Sequence, residues 1–108
     1  MISKDLTAAS SSALILSILA GGDSYGYQII QSVRSLSEER IEWTDGMLYP
    51  VLHRLEARGL ISSYWKRAPS GRRRKYYSLT QDGKTTLAEE REQWTVVDAT
   101  LKRLWAER

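Results

Sequence analysis

Leu60-Ile61-Ser62-Ser63-Tyr64-Trp65-Lys66-Arg67-Ala68-Pro69-Ser70-Gly71-Arg72-Arg73-Arg74-Lys75-Tyr76-Tyr77-Ser78-Leu79 is the stretch on which the fold turns. Its two ends, Leu60 to Trp65 and Lys75 to Leu79, are rich in β-branched and aromatic residues and nearly alternate in polarity. Ala68-Pro69-Ser70-Gly71 between them is a turn signal, so the stretch predicts a two-stranded hairpin. Lys66 to Lys75 holds six of the chain's sixteen basic residues and no acid. The other ten face thirteen acidic residues, so the rest of the chain carries a net charge of −3. A basic tip on an acidic body is an electrostatic footprint for a polyanion. The competing reading is a solvated hairpin whose charges protect a sheet edge.

Upstream of the hairpin, Leu48, Val51, Leu52 and Leu55 fall on one face at three- and four-residue steps. Thr44 or Asp45 can cap this helix and Gly59 ends it. Pro50 conflicts with a helix interior, so an irregular first turn is expected; Gly46, four residues earlier, reduces the clash. Ile29, Ile30, Val33 and Leu36 give a preceding helix one apolar face, with Asp23 and Ser24 as candidate caps. Ser10-Ser11-Ser12 leads into an apolar helix, Ala13 to Ala20, closed by Gly21-Gly22. Downstream, Thr80 caps a last helix that can run to Ala106, roughly 40 Å long. Three helices, a basic-tipped hairpin and a long helix make a mainly α fold with a small β-hairpin. This is a winged helix-turn-helix unit over residues 1–80, plus one long C-terminal helix for dimerisation over residues 81–108.

The 108 residues fit one domain. The chain has no cysteine and a single histidine, His53, so disulfides and thiolate or histidine metal sites are excluded and no cofactor is expected. Its longest apolar run, Ala13 to Ala20, is broken by Ser17 and is too short to span a bilayer. Met1 to Leu6 has no pattern of a secretory leader, which makes the cytoplasm the expected compartment and leaves no membrane role. Neither a phosphate-binding glycine loop nor a recognisable nucleophile motif is present, so an enzyme is not expected. A winged helix that binds only protein is the other alternative; it would not need an arginine-rich wing.

The sequence resembles the PadR family of bacterial regulators, most clearly from Leu14 to Trp94. Tyr25-Gly26-Tyr27-Gln28-Ile29-Ile30 is similar to the family's second-helix motif. Gly46 to Leu52 and Arg54 to Ile61 are similar to its recognition helix, and Gly71 to Thr80 to its wing and following strand. Met47 replaces the threonine usual in the family. The short last helix resembles the compact branch. Ser63-Tyr64-Trp65 and Glu92 to Asp98 resemble its multidrug-binding members, in which a tryptophan at the place of Trp94 stacks on planar ligands at the dimer centre. The resemblance implies a DNA-binding repressor that binds a pseudo-palindromic operator as a homodimer and is released by a planar aromatic ligand.

Opposite its apolar stripe the third helix shows Gly46, Pro50, His53 and Ala57, flanked by Tyr49 and Arg54. A face small at its centre and polar at its edges suits close approach in a major groove. The expected DNA contacts are Thr44, Gly46, Met47, Tyr49, Pro50, His53 and Arg54 on this helix, and Arg72, Arg73, Arg74 and Lys75 on the wing. Two readings stand for Tyr49, a DNA contact or a rim residue against the hairpin. For His53 they are a base contact or a solvated surface residue. An extended strand cannot point three consecutive arginines one way, so Arg72 and Arg74 pair in preference to Arg73. Tyr77 and Leu79 share a strand face and are expected in the core.

In the last helix Leu87, Trp94 and Leu101 lie seven apart, with Val97 and Leu104 at complementary positions and Glu90 interrupting. The stripe either packs on its own subunit or meets a second chain. A helix this long overhangs a domain this small, which favours Leu101, Leu104 and Trp105 as a dimer surface. Leu6, Ala9, Ala13, Leu16, Ser17, Trp94, Val97 and Asp98 are the expected surroundings of a ligand between subunits.

Overall fold

In the computed structural model, which describes residues 2–106, helix α1 spans Lys4–Ala20, α2 Gly26–Leu36, α3 Asp45–Ala57 and α4 Gln81–Ala106. Strands β1 (Ser24–Tyr25), β2 (Ile61–Arg67) and β3 (Arg73–Leu79) form one antiparallel sheet in the order β1-β3-β2. The expected architecture is present, a winged helix-turn-helix with a long last helix, and the hairpin has gained a third strand.

Helix α1 begins well before the serine run. Ser3 is its cap, accepting from the Leu6 N–H at 3.2 Å. Ser10 and Ser11 do not stop the helix because their hydroxyls donate back to the Leu6 and Ala8 carbonyls, at 2.8 and 2.9 Å. Neither Asp23 nor Ser24 caps α2. Tyr25 holds the cap position without a side-chain bond, and Ser24 pairs with Tyr77 in the sheet. The Ser24 hydroxyl donates to Gln28 Oε1 at 2.7 Å, and Asp23 accepts from the Tyr64 hydroxyl at 2.7 Å.

Helix α3 runs unbroken through Pro50. Thr44 caps it, its side chain accepting from the Met47 N–H at 3.3 Å. Its first turn is tightened, since the Thr44 carbonyl accepts from both Met47 and Leu48. The proline's missing N–H falls opposite the Gly46 carbonyl, where no side chain adds to the crowding.

Ile15, Leu16 and Leu19 of α1, Ile29 and Val33 of α2, and Leu48, Leu52 and Leu55 of α3 meet over Ile61, Tyr77 and Leu87. Each such fully buried side chain contributes about 1.5–3 kcal/mol. Leu36, expected on the apolar face of α2, is instead 80% exposed one turn past the core. Thr80 fixes the start of α4: its hydroxyl accepts from the Gly83 N–H at 3.0 Å and donates to the Gly59 carbonyl at 2.7 Å. Ser12 ties α1 to α4 by donating to Glu90 at 3.0 Å, which gives the acid that interrupts the apolar stripe a partner. Beyond Glu90, every described residue of α4 is exposed, from Arg91 to Ala106.

Candidate nucleic-acid interface

The wing is a seven-residue ladder on each side, closed by a tight turn. The Ala68 N–H donates to the Arg72 carbonyl at 2.7 Å and the Gly71 N–H to the Ala68 carbonyl at 2.8 Å. Gly71 lies at φ +92°, in the left-handed region that a side chain disfavours. Arg67 Nη1 donates to the Gly71 carbonyl at 3.0 Å and braces the tip.

Lys66 and Arg74 face each other across the ladder, as do Arg67 and Arg73. Aromatic rings hold most of these like charges in place. The Arg73 guanidinium lies 5.2 Å from the Trp65 ring centre, Arg74 4.3 Å from Tyr25, and the Lys66 ammonium 5.6 Å from Tyr76. Each contact is worth about 0.5–1 kcal/mol at an exposed site and fixes a direction for a long flexible chain. Tyr76 is in turn stacked on Tyr64 at 5.7 Å and meets Tyr25 edge-on at 5.3 Å. The hydrogen bond from Tyr64 to Asp23 raises the phenol's pKa and anchors this column to the loop before α2.

The wing meets the helices in a groove of about 440 Å³. Arg72, Arg73, Arg74 and Lys75 line it together with Tyr49 of α3, Tyr25 and the first turn of α2. Four cations and no acid line this groove, a setting for a polyanion. Tyr49 enters it because Gly26 has no side chain: a Cβ there would stand 2.5 Å from the Tyr49 hydroxyl and 3.0 Å from its Cζ. Thus Tyr49 is 37% exposed, against the wing and open to solvent at once. The rim reading describes the side of Tyr49 that meets the wing; its other side is open to solvent.

Sequence reasoning missed Tyr25, Tyr27 and Trp65 in this groove. Tyr27 and Trp65 are 65% and 58% exposed. Their signal was the tyrosine-glycine-tyrosine run before the first apolar residue of α2, and an aromatic across the ladder from Lys75. Gly46, Met47, Pro50 and Arg54 do not enter the groove; they border a different cleft, toward α1. Thr44 and His53 are exposed.

At the other end of the molecule Ser10, Ala13, Leu14 and Ser17 of α1 and Arg91, Trp94 and Thr95 of α4 form an open groove of about 350 Å³. Of the residues expected around a ligand, Ala13, Ser17 and Trp94 meet here. Leu6, Ala9, Val97 and Asp98 lie outside it, and Asp98 pairs with Lys102 at 3.0 Å. Leu16 needs correcting. It is wholly buried in the subunit's own core, because its direction on α1 is that of Ile15 and Leu19. Leu14 takes its place in the groove.

Residues 15–89 match the model of the Transcriptional regulator PadR-like family. The chain belongs to the PadR-like family of transcriptional regulators. A transcriptional regulator from Clostridium thermocellum is similar in structure, with a TM-score of 0.83, 31% identity, and 93% of this chain and 97% of that one covered. A PadR family regulator from Clostridium difficile is 37% identical, with a TM-score of 0.75 over 88% of this chain and 97% of that one. Transcriptional regulator YqjI of Escherichia coli is 33% identical over 82% of this chain and 41% of its own length. This PadR-like chain is therefore a regulator of transcription with a DNA-binding fold. Among its described residues no helix is long and apolar enough to cross a membrane.

Proposed function

We propose that this PadR-like regulator is a repressor that binds a pseudo-palindromic operator as a homodimer and is released by a planar aromatic ligand between its subunits. The observation that carries the DNA reading is the groove in which four wing cations meet Tyr49 and the first turn of α2. Residues 1–80 form the DNA-binding unit. In it α3 lies in a major groove with Thr44, Gly46, Met47, Tyr49, Pro50, His53 and Arg54 toward the duplex. Arg72, Arg73, Arg74 and Lys75 follow the backbone into the adjacent minor groove, where flat, weakly hydrated guanidinium groups are favoured. Replacing Arg72 and Arg74 by Ala tests this reading. Binding should weaken for all duplexes, and the salt slope should flatten by up to about two units per subunit, because fewer counterions are released. An unchanged slope would refute the wing's role.

Residues 81–108 supply the dimer contact. Val97, Leu101, Leu104 and Trp105 are 49%, 37%, 55% and 66% exposed in the single chain, an apolar stripe without a partner on its own subunit. A second apolar surface, exposed at Leu36 and partly exposed at Leu14, Ile18 and Ile41, lies on α1, the end of α2 and the segment that follows it. A two-fold axis lets each stripe cover the other chain's surface, which removes both patches from water. The groove beside Trp94 then faces the partner. A flat cation held between two indoles gains about 1 kcal/mol from each stack. Its entry alters the angle between subunits and with it the distance between the two recognition helices.

A further inference from the structure

A different face of α1 from the one that carries Ala13 and Ser17 borders a second cleft, of about 280 Å³, between the start of that helix and α3. Trp43, Met47 and Val51 give it an apolar lining that is aliphatic apart from the indole; Lys4, Arg54 and Thr7 are among its polar members. Trp43 is 6% exposed and Thr7 8%. The Thr7 hydroxyl has no hydrogen-bond partner among the described residues, whereas Ser10 and Ser11 bond back to their own helix. No acidic side chain lines the cleft. The ion pairs among the described residues join Arg34 to Glu39 and Glu42, and Lys102 to Asp98, so both Lys4 and Arg54 lack one.

Two cations without an ion pair and the unpartnered hydroxyl of a largely buried threonine, beside apolar side chains, suit a molecule with one anionic end and one apolar end. We infer that the cleft between α1 and α3 binds a small amphipathic anion, an alkyl carboxylate of medium chain length, and that its occupation opposes DNA binding. The carboxylate takes charge-assisted bonds from Lys4 and Arg54, and the chain lies against Trp43 and Met47. The regulatory half rests on the DNA reading above, in which Arg54 faces the duplex. A guanidinium engaged by a carboxylate is lost to the duplex, and Gly46, Met47 and Pro50 border the cleft as well, so the two ligands compete for one face of α3.

Octanoate is the probe. The chain has two methionines, Met1 and Met47. Labelling their methyl groups with 13C therefore gives one reporter in the cleft and one comparison signal, assigned with Met47→Leu. Octanoate should move the Met47 resonance saturably, and octylammonium, its charge-reversed counterpart, should not. Lys4→Glu, an exposed change outside the DNA contacts, should weaken octanoate binding about tenfold, the effect of losing one charge-assisted bond. An unmoved Met47 signal, an equal response to octylammonium, or an unchanged affinity in Lys4→Glu would each overturn the site. Duplex binding is measured alongside, with and without octanoate. Duplex binding that saturating octanoate leaves as tight would overturn the regulatory half. A protein that takes octanoate and never binds duplex would refute the DNA reading and leave the anion site standing.

Discussion

Gly26→Ala should weaken DNA binding without weakening the fold. The added Cβ would stand 2.5 Å from the Tyr49 hydroxyl, so the phenol must retreat by about 1 Å to restore ordinary contact. The hydroxyl is the far end of a half-exposed side chain, so it can move at small cost. Alanine is also the better residue in the first turn of a helix, by up to about 1 kcal/mol. The melting temperature should therefore hold or rise. A hydrogen bond from the Tyr49 hydroxyl to a backbone phosphate, the contact its place among the wing cations would allow, does not survive a displacement of about 1 Å at either end. Its loss is worth about 1.5–3 kcal/mol, or roughly ten- to a hundredfold in affinity per subunit. Tyr49→Phe removes the same bond directly. Fluorescence anisotropy of a labelled duplex at fixed salt measures each variant and the pair together. If Gly26 acts by placing Tyr49, the double variant binds no worse than either single one. Additive losses, or wild-type affinity in Gly26→Ala, would refute the reasoning.

Tyr77 is 1% exposed and its hydroxyl has no partner among the described residues, so Tyr77→Phe should stabilise the protein by about 1 kcal/mol in urea unfolding; a comparable loss would mean that the hydroxyl has a partner. Burial, with Tyr49 and Glu56 adding to it, raises the pKa of this phenol, so above about pH 10 the unfolded chain ionises first and stability falls as pH rises. The same variant should make that alkaline fall less steep. Removing residues 95–108 should give monomers or insoluble protein, and a truncated chain that still sediments as a stable dimer would refute the role of the α4 stripe. Planar dye cations should change the tryptophan fluorescence and bind Trp94→Ala more weakly; equal dye affinity would leave Trp94 an ordinary surface indole.

The long elements were legible because their signals repeat. The stripe of α3 and the alternation around Tyr77 each report a buried face several times over, and the Ala68 to Gly71 turn separates the strands. Strand β1 was not legible: two residues hold no period, and Ser24 is as plausible a cap as a strand residue until Tyr77 is seen beside it. The start of α1 was obscured because serine favours caps in general, while here its hydroxyls find carbonyls one turn back. Leu16 shows a related limit. A helix apolar on nearly every side gives no direction, so sequence alone could not say which leucine faces the core. The site was legible in composition and not in assembly. Four wing cations stand out in the chain, but Tyr25, Tyr27 and Tyr49 join them only through the docking of α2 and α3.

Pro50 in α3 has a further consequence, at the far end of the hydrogen bond it cannot make. The Gly46 carbonyl, four residues earlier, cannot receive the usual N–H from position 50, and both residues are exposed. It is a main-chain acceptor on the helix surface beside the expected base-reading side chains. In a major groove such an acceptor matches the amino groups of cytosine and adenine and offers nothing to guanine O6 or thymine O4. An acceptor of this kind has no rotamers to choose among and keeps its chemistry when the surrounding side chains change. The operator preference it imposes would belong to the backbone, set by a proline that has no hydrogen bond of its own to offer.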